Sequence, residues 1–256
     1  MRLIIFRFLM GLSIGVFILL VIMPFVALLF NIFSSPLDMT IDYQSILRPL
    51  ILSVTTSLVS TLISLFVGIP LAYILTYKKF PLKEIFDTIV NLPLVVPPTV
   101  AGYLLLITFG RYGLVGYPLH VLGITIMFTT FAIVMAQTFV ALPFMVRSIR
   151  ASLQDISPSL IDAAKTLGAS DYEIFKEIIL PLSKAGIISG IILTYARAIG
   201  EFGATVMVCG LLDTLPIAIF NNALSGNRDI ANILSLILIV ISFGILALFK
   251  RIAAKD

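Results

Sequence analysis

The chain has 256 residues, of which 60% are hydrophobic and 12% charged, and its mean hydropathy of +1.15 lies far outside the range of water-soluble domains. This composition excludes a soluble enzyme and points to a membrane protein. The net charge of +4 is spread over segment ends, with no basic and aromatic cluster of the kind that binds nucleic acid. One cysteine, Cys209, and one histidine, His120, supply neither a disulfide framework nor a Cys/His metal cluster.

Runs of about twenty apolar residues recur from end to end, and an α-helix needs about 20 residues to cross roughly 30 Å of hydrocarbon. Six runs qualify: 8–33, 50–77, 85–109, 124–146, 185–208 and 230–249. None alternates apolar and polar residues over ~10 positions, which excludes a β-barrel. The first run is too long for the apolar core of a signal peptide and no small-x-small cleavage site follows it, so it reads as a retained helix. Arg2, Arg7, Lys78, Lys79, Lys83, Arg147, Arg150, Lys165, Lys176, Lys184, Lys250, Arg251 and Lys255 fall on one side of the membrane. Only Arg48, Arg111 and Arg228 fall on the other, and Arg197 lies within a run. By the positive-inside rule both termini are cytoplasmic.

In the third run Pro97 and Pro98 each lack a backbone donor and clash with the preceding turn, so the helix must bend or break. A restart at Pro98 would leave the N–H groups of Thr99, Val100 and Ala101 free, a positive dipole end that can hold an anion weakly at midplane. The plainer account is a kink kept for packing. The outer loops are too short to fold as domains, although TLPIAIFNNAL (residues 214–224) mixes apolar and amide residues and suits a short interfacial or re-entrant helix.

The longest polar segment, residues 147–181, is punctuated as two short cytoplasmic helices. Ser157 and Pro158 open the first, Gly168 suits the left-handed residue that closes it, Ser170 and Glu173 form a capping-box pattern, and Pro181 stops the second. Ile156, Leu160, Ile161, Leu167, Tyr172 and Phe175 give the loop more apolar surface than a free loop leaves in water. That surface either packs on the chain's own spans or docks into a cytoplasmic partner.

The fifth run contains Arg197 and Glu201, each costing at least ~2.5 kcal/mol in a span. At i and i+4 they share one helix face and neutralise each other. Three readings compete: a pair that fixes packing, which the geometry favours; a gate that exchanges partners between conformations; and direct anion contact by Arg197, which the adjacent carboxylate opposes. Gly200 and Gly203 beside the pair would permit close helix approach.

Asp162-Ala163-Ala164, then Gly168-Ala169, then Ile178-Ile179-Leu180-Pro181 resemble the EAA loop of ABC importer permeases, spaced EAA-x3-G-x9-I-x-LP, with Asp where Glu is usual. The resemblance implies an all-α integral membrane protein with six transmembrane helices and the type I importer permease fold. It implies that Asp162, Ala163, Ala164, Gly168, Ala169, Leu180 and Pro181 couple the chain to an ATPase. The partners implied are two ABC ATPase subunits, a second permease subunit (a homodimer by default), an extracytoplasmic solute-binding protein and the lipid bilayer of a prokaryotic cell membrane. No phosphate-cradling G-x-x-x-x-G-K-[ST] occurs, so the chain is not itself an enzyme, and ATP and Mg belong to the partner ATPase. NLPLVVPPTVAGYLLLITFGRYGLVG and RAIGEFGATVMVCG further resemble the oxyanion branch, molybdate and tungstate permeases above all, with sulfate and thiosulfate permeases as the alternative. A self-sufficient channel or ion-coupled carrier is the competing class. On the oxyanion reading, Pro97, Pro98, Thr99, Arg197, Gly200, Glu201 and Gly203 are the pathway, gate or packing candidates.

Overall fold

The computed structural model describes residues 2–34 and 42–253. Lys255, and residues 35–41 of the first outer loop, lie outside the described residues. The first helix runs as α1 (Arg2–Phe17), a wide π turn (Ile18–Ile22) and α2 (Met23–Ser34). It is apolar all round, and nothing in Leu9–Ser34 is buried within the chain. A helix with no polar face is one whose surroundings are lipid or other apolar helices.

α3 (Tyr43–Tyr77) opens with the Asp42 carboxylate accepting the Gln44 N–H, and its 35 residues reach about 52 Å, well beyond the hydrocarbon. Its buried stripe is Ser53, Thr56, Ser57, Ser60, Thr61, Ser64, Gly68 and Ala72. These side chains are small, so neighbouring helices can approach closely, and several hydroxyls return to the helix's own carbonyls, Thr61 to Ser57 at 2.7 Å for example, although the buried Ser64 hydroxyl finds no partner. α7 (Thr130–Gln154) packs along this stripe, and α11 (Lys184–Ile199) packs against both. The Thr138 hydroxyl donates to Ser60 at 3.1 Å across the first contact.

At one end of this trio, Ala72, Leu75, Met145, Val146, Ile149, Leu153, Ile156, Ile174 and Ile179 form a single apolar cluster. There the Tyr77 hydroxyl donates to the Leu153 carbonyl at 2.8 Å, and α4 (Lys83–Asn91) is tied to α7 through Asp87 to Arg150 and Asn91 to Arg147. At the other end the Leu215 N–H donates to Ser53 at 2.6 Å, opening α13 (Leu215–Leu224). α14 (Arg228–Ala253) starts at that outer end, where Leu234 and Ile230 pack with Leu215 and Leu50, and runs back. Its Lys250 and Arg251 therefore lie at the end that also carries Lys78, Arg147 and Arg150.

The helices differ in detail from the expected runs. The third run bends, as its prolines require. α4 passes through a tight turn (Leu92–Leu94) and the chain then turns by 111° into α5 (Pro98–Phe109), because Pro93, Pro97 and Pro98 withdraw three backbone donors within six residues. The fourth begins at Thr130 instead of 124. After a short helix α6 (Gly116–Val121), Phe128 adopts a left-handed φ of 64° and gives its N–H to the Val208 carbonyl. α7 then continues as helix to Gln154, into the segment expected to begin the cytoplasmic loop at 147. The fifth, expected over 185–208, is broken at 200–202 into α11 and α12 (Gly203–Val208). Among the described residues four helices are long and apolar enough to cross a membrane, and counting each bent pair as one span gives up to six.

Candidate functional site

The two broken helices meet. A methyl group placed on Gly203 would lie 2.8 Å from Pro98 Cβ and 3.3 Å from the Thr99 nitrogen, and one on Gly102 would lie 2.5 Å from the Ala204 carbonyl oxygen. The N-terminus of α5 thus abuts the N-terminus of α12, and only glycine permits that approach. Ala101, Leu105, Ala132, Ala136, Ala204 and Val208 fill the space around it. The Ala101 N–H bonds to the Pro97 carbonyl, so of the first four α5 positions Thr99 and Val100 carry the donors that helix geometry leaves over. Both side chains are exposed on the isolated chain.

Glu201 sits in the break and is 1% exposed. One carboxylate oxygen accepts the Ala204 N–H at 2.8 Å and the other meets Arg197 at 2.5 Å. Negative charge at a helix start offsets the positive end of the dipole, and here the Glu201 carboxylate sits at the start of α12. Arg197 and Glu201 do not share a continuous helix face: α11 ends at Ile199, and the pair bridges the break. Gly200 is not a close-approach position, since a methyl there would find its nearest neighbour at 3.7 Å, an ordinary contact. Arg197 keeps 28% of its side chain exposed while Glu201 is enclosed, so the arginine alone reaches toward open space.

At the cytoplasmic end the loop is built from α8 (Pro158–Thr166), α9 (Asp171–Glu173), a π turn (Ile174–Ile179) and α10 (Leu180–Leu182). Gly168, at φ 88°, closes α8 with Ala169 N–H to Ala164 and Gly168 N–H to Lys165, the paired bonds of a Schellman turn. Ser170 and Glu173 make the reciprocal capping box. The Ser157 side chain does not cap α8 as expected; its hydroxyl engages Ser159. Pro181 does not end the second helix at once. The backbone widens into the π turn ahead of it, helix persists to Leu182, and the chain bends 65° into α11.

The loop's apolar side chains divide between two faces. Ile156, Ile161, Ala164, Ala169 and Phe175 join the cluster formed with α3 and α7, whereas Asp162, Ala163, Leu160 (43% exposed) and Leu167 (88% exposed) face outward. Sequence reasoning missed Gly102, whose only signal is a glycine in an apolar run. It also missed the grouping of Tyr73 and Lys78 with Asp171, which lies 93 positions beyond Lys78, so no local signal marks it. Among the described residues no group of His, Cys, Asp and Glu can hold a metal ion.

Residues 64–255 match the family described as binding-protein-dependent transport system inner membrane component. The chain belongs to that family. This inner-membrane component is 41% identical over 184 residues to the molybdenum transport system permease protein ModB of Escherichia coli, covering 70% of the chain and 79% of the relative. It is 37% identical over 229 residues to ModB of Mycobacterium tuberculosis, 88% and 86% covered. The sulfate transport system permease protein CysW of Synechocystis is 32% identical over 219 residues, 82% and 78% covered. Among solved structures, a bacterial alginate ABC transporter crystallised with an alginate pentasaccharide-bound periplasmic protein superposes with a TM-score of 0.75 at 17% identity, covering 99% of this chain and 95% of that one. The fold is therefore that of type I ABC importer permeases, and the chain is a multi-pass inner-membrane protein.

Proposed function

We infer that the chain is the permease subunit of an ATP-driven importer of an oxyanion, with molybdate or tungstate as cargo. The observation that carries this reading is the identity of 37–41% to molybdenum permeases over most of the chain. A sulfate cargo is the second reading, supported by the 32% identity to a sulfate permease. ATP and Mg belong to two copies of a separate ATPase, a second copy of this chain completes the pathway, and an extracytoplasmic binding protein delivers the anion.

On this reading the outward face of α8, with Asp162, Ala163 and Leu167, seats in the ATPase, and Gly168, Ala169, Leu180 and Pro181 keep its attachment to α11 short and stiff. Closure of the ATPase pair would move this loop and open the path outward by alternating access. Selection rests with the binding protein, and a deep well in the pore would slow release. Pro97, Pro98 and Thr99 then contribute at most a weak anion foothold, and Arg197, Glu201 and Gly203 hold the junction beside it.

Titrating the partner binding protein tests the cargo: molybdate and tungstate should bind competitively and far more tightly than sulfate, and equal or tighter sulfate binding overturns the assignment. The transporter class is tested by purification. The chain should co-purify with an ATPase, and anion transport by the chain alone in vesicles would establish a channel or carrier instead.

A further inference from the structure

The cytoplasmic end of α3 carries a set of contacts that neither the family nor the coupling motif assigns. The Tyr73 ring meets the Phe175 ring edge-on at 5.3 Å and the Tyr77 ring at 5.5 Å. The Lys78 ammonium lies 5.8 Å above the same Tyr73 ring and 2.8 Å from the Asp171 carboxylate. Asp171 is the first residue after the Ser170 cap, and Phe175 lies within the π turn, so both belong to the second arm of the loop. Beneath them Ile174 and Ile179 are buried with Ala72 and Leu75 of α3. The Tyr77 hydroxyl, bonded to the Leu153 carbonyl, locks the same turn of α3 to the end of α7.

An exposed ion pair by itself is worth little, but here it stands over an aromatic edge contact and a buried aliphatic one, and each of the three joins the same two elements. We propose that Tyr73, Lys78, Asp171 and Phe175 form a latch that makes the second arm of the coupling loop one rigid body with the end of α3. The stroke delivered to the loop then enters the second span directly, beside its covalent path into α11. The inference rests on residues 158–182 being the coupling loop. The four are positioning residues: they touch neither cargo nor nucleotide.

The test uses the full transporter with its ATPase and binding protein in vesicles, comparing anion imported with ATP hydrolysed. With Cys209→Ser as background, Lys78→Cys and Asp171→Cys are bridged by a short bis(methanethiosulfonate) reagent, each thiolate displacing methanesulfinate to leave a reductant-cleavable disulfide. If the latch stays closed through the cycle, the bridged transporter imports at the unbridged rate. Import that stops on bridging and returns on reduction overturns the proposal. In the second arm, Phe175→Ala should lower anion imported per ATP by about two- to tenfold, the range set by loss of an aromatic pair, while the ATPase still co-purifies, and Phe175→Tyr should restore it. An unchanged ratio for Phe175→Ala also overturns the latch. Failure of the ATPase to co-purify with the unaltered chain would instead reject the coupling-loop reading on which it rests.

Discussion

Glu201 commits both carboxylate oxygens inside the fold, one to the Ala204 N–H and one to Arg197. Removing one partner of an enclosed ion pair is costly because the other is left uncompensated. Glu201→Ala should therefore lower the stability of the detergent-solubilised complex by about 3 kcal/mol, and Glu201→Gln, which keeps an acceptor for Ala204, by about half as much. Thermal unfolding measures both. If the pair only holds the junction, Glu201→Gln transporters that assemble should import normally; loss of import with assembly intact would make the pair a gate. The latch pair has its own pH window. The Asp171 carboxyl is held below its ordinary 3.8, chiefly by the hydrogen bond from Lys78, and Lys78 is raised above its ordinary 10.5, chiefly by the same bond. The carboxylate's contribution is present above 3.8 and lost as pH falls through its lowered value; the ammonium's is present below 10.5 and lost as pH rises through its raised value. Between about pH 5 and 9 both groups stay charged, so the stability difference between Lys78→Met and the unaltered chain should be constant there.

At the scale of elements, the junction of α5 and α12 depends on two backbones in contact. Gly102→Ala and Gly203→Ala should each abolish a monodisperse complex on size-exclusion chromatography, since the added carbon meets the Ala204 carbonyl or Pro98 at 2.5–2.8 Å. Gly200→Ala, with ordinary space around it, should assemble as the unaltered chain does. The break in the third helix was legible because proline acts locally on the backbone it interrupts. The break in the fifth was not: YARAIGEFGATV has no proline, and just past the interruption Gly203 packs against Pro98 and Thr99, a long-range contact, while Glu201 accepts the Ala204 N–H. The caps of the loop were readable for the local reason again, as Gly168, Ser170 and Glu173 act within five residues. The pairing of Lys78 with Asp171 was not, because only the packed fold brings α3 to the loop.

Over the whole molecule, composition declared a membrane protein, and the small-residue stripe on α3 explains why α3, α7 and α11 form its packed centre. Nothing in Leu9–Ser34 is buried in the single chain, and α14 exposes Val240, Phe243, Leu246 and Leu248, which fits a subunit whose surroundings are lipid and a second copy. The central claim is that this assembled subunit passes an oxyanion only when an ATPase turns over at its cytoplasmic loop. Uptake of molybdate into vesicles holding the chain with its ATPase, binding protein outside and ATP inside, tests it most directly. Accumulation that needs ATP, falls with added tungstate and ignores excess sulfate is the predicted result; uptake that persists without ATP, or that sulfate suppresses as well as tungstate does, would contradict it.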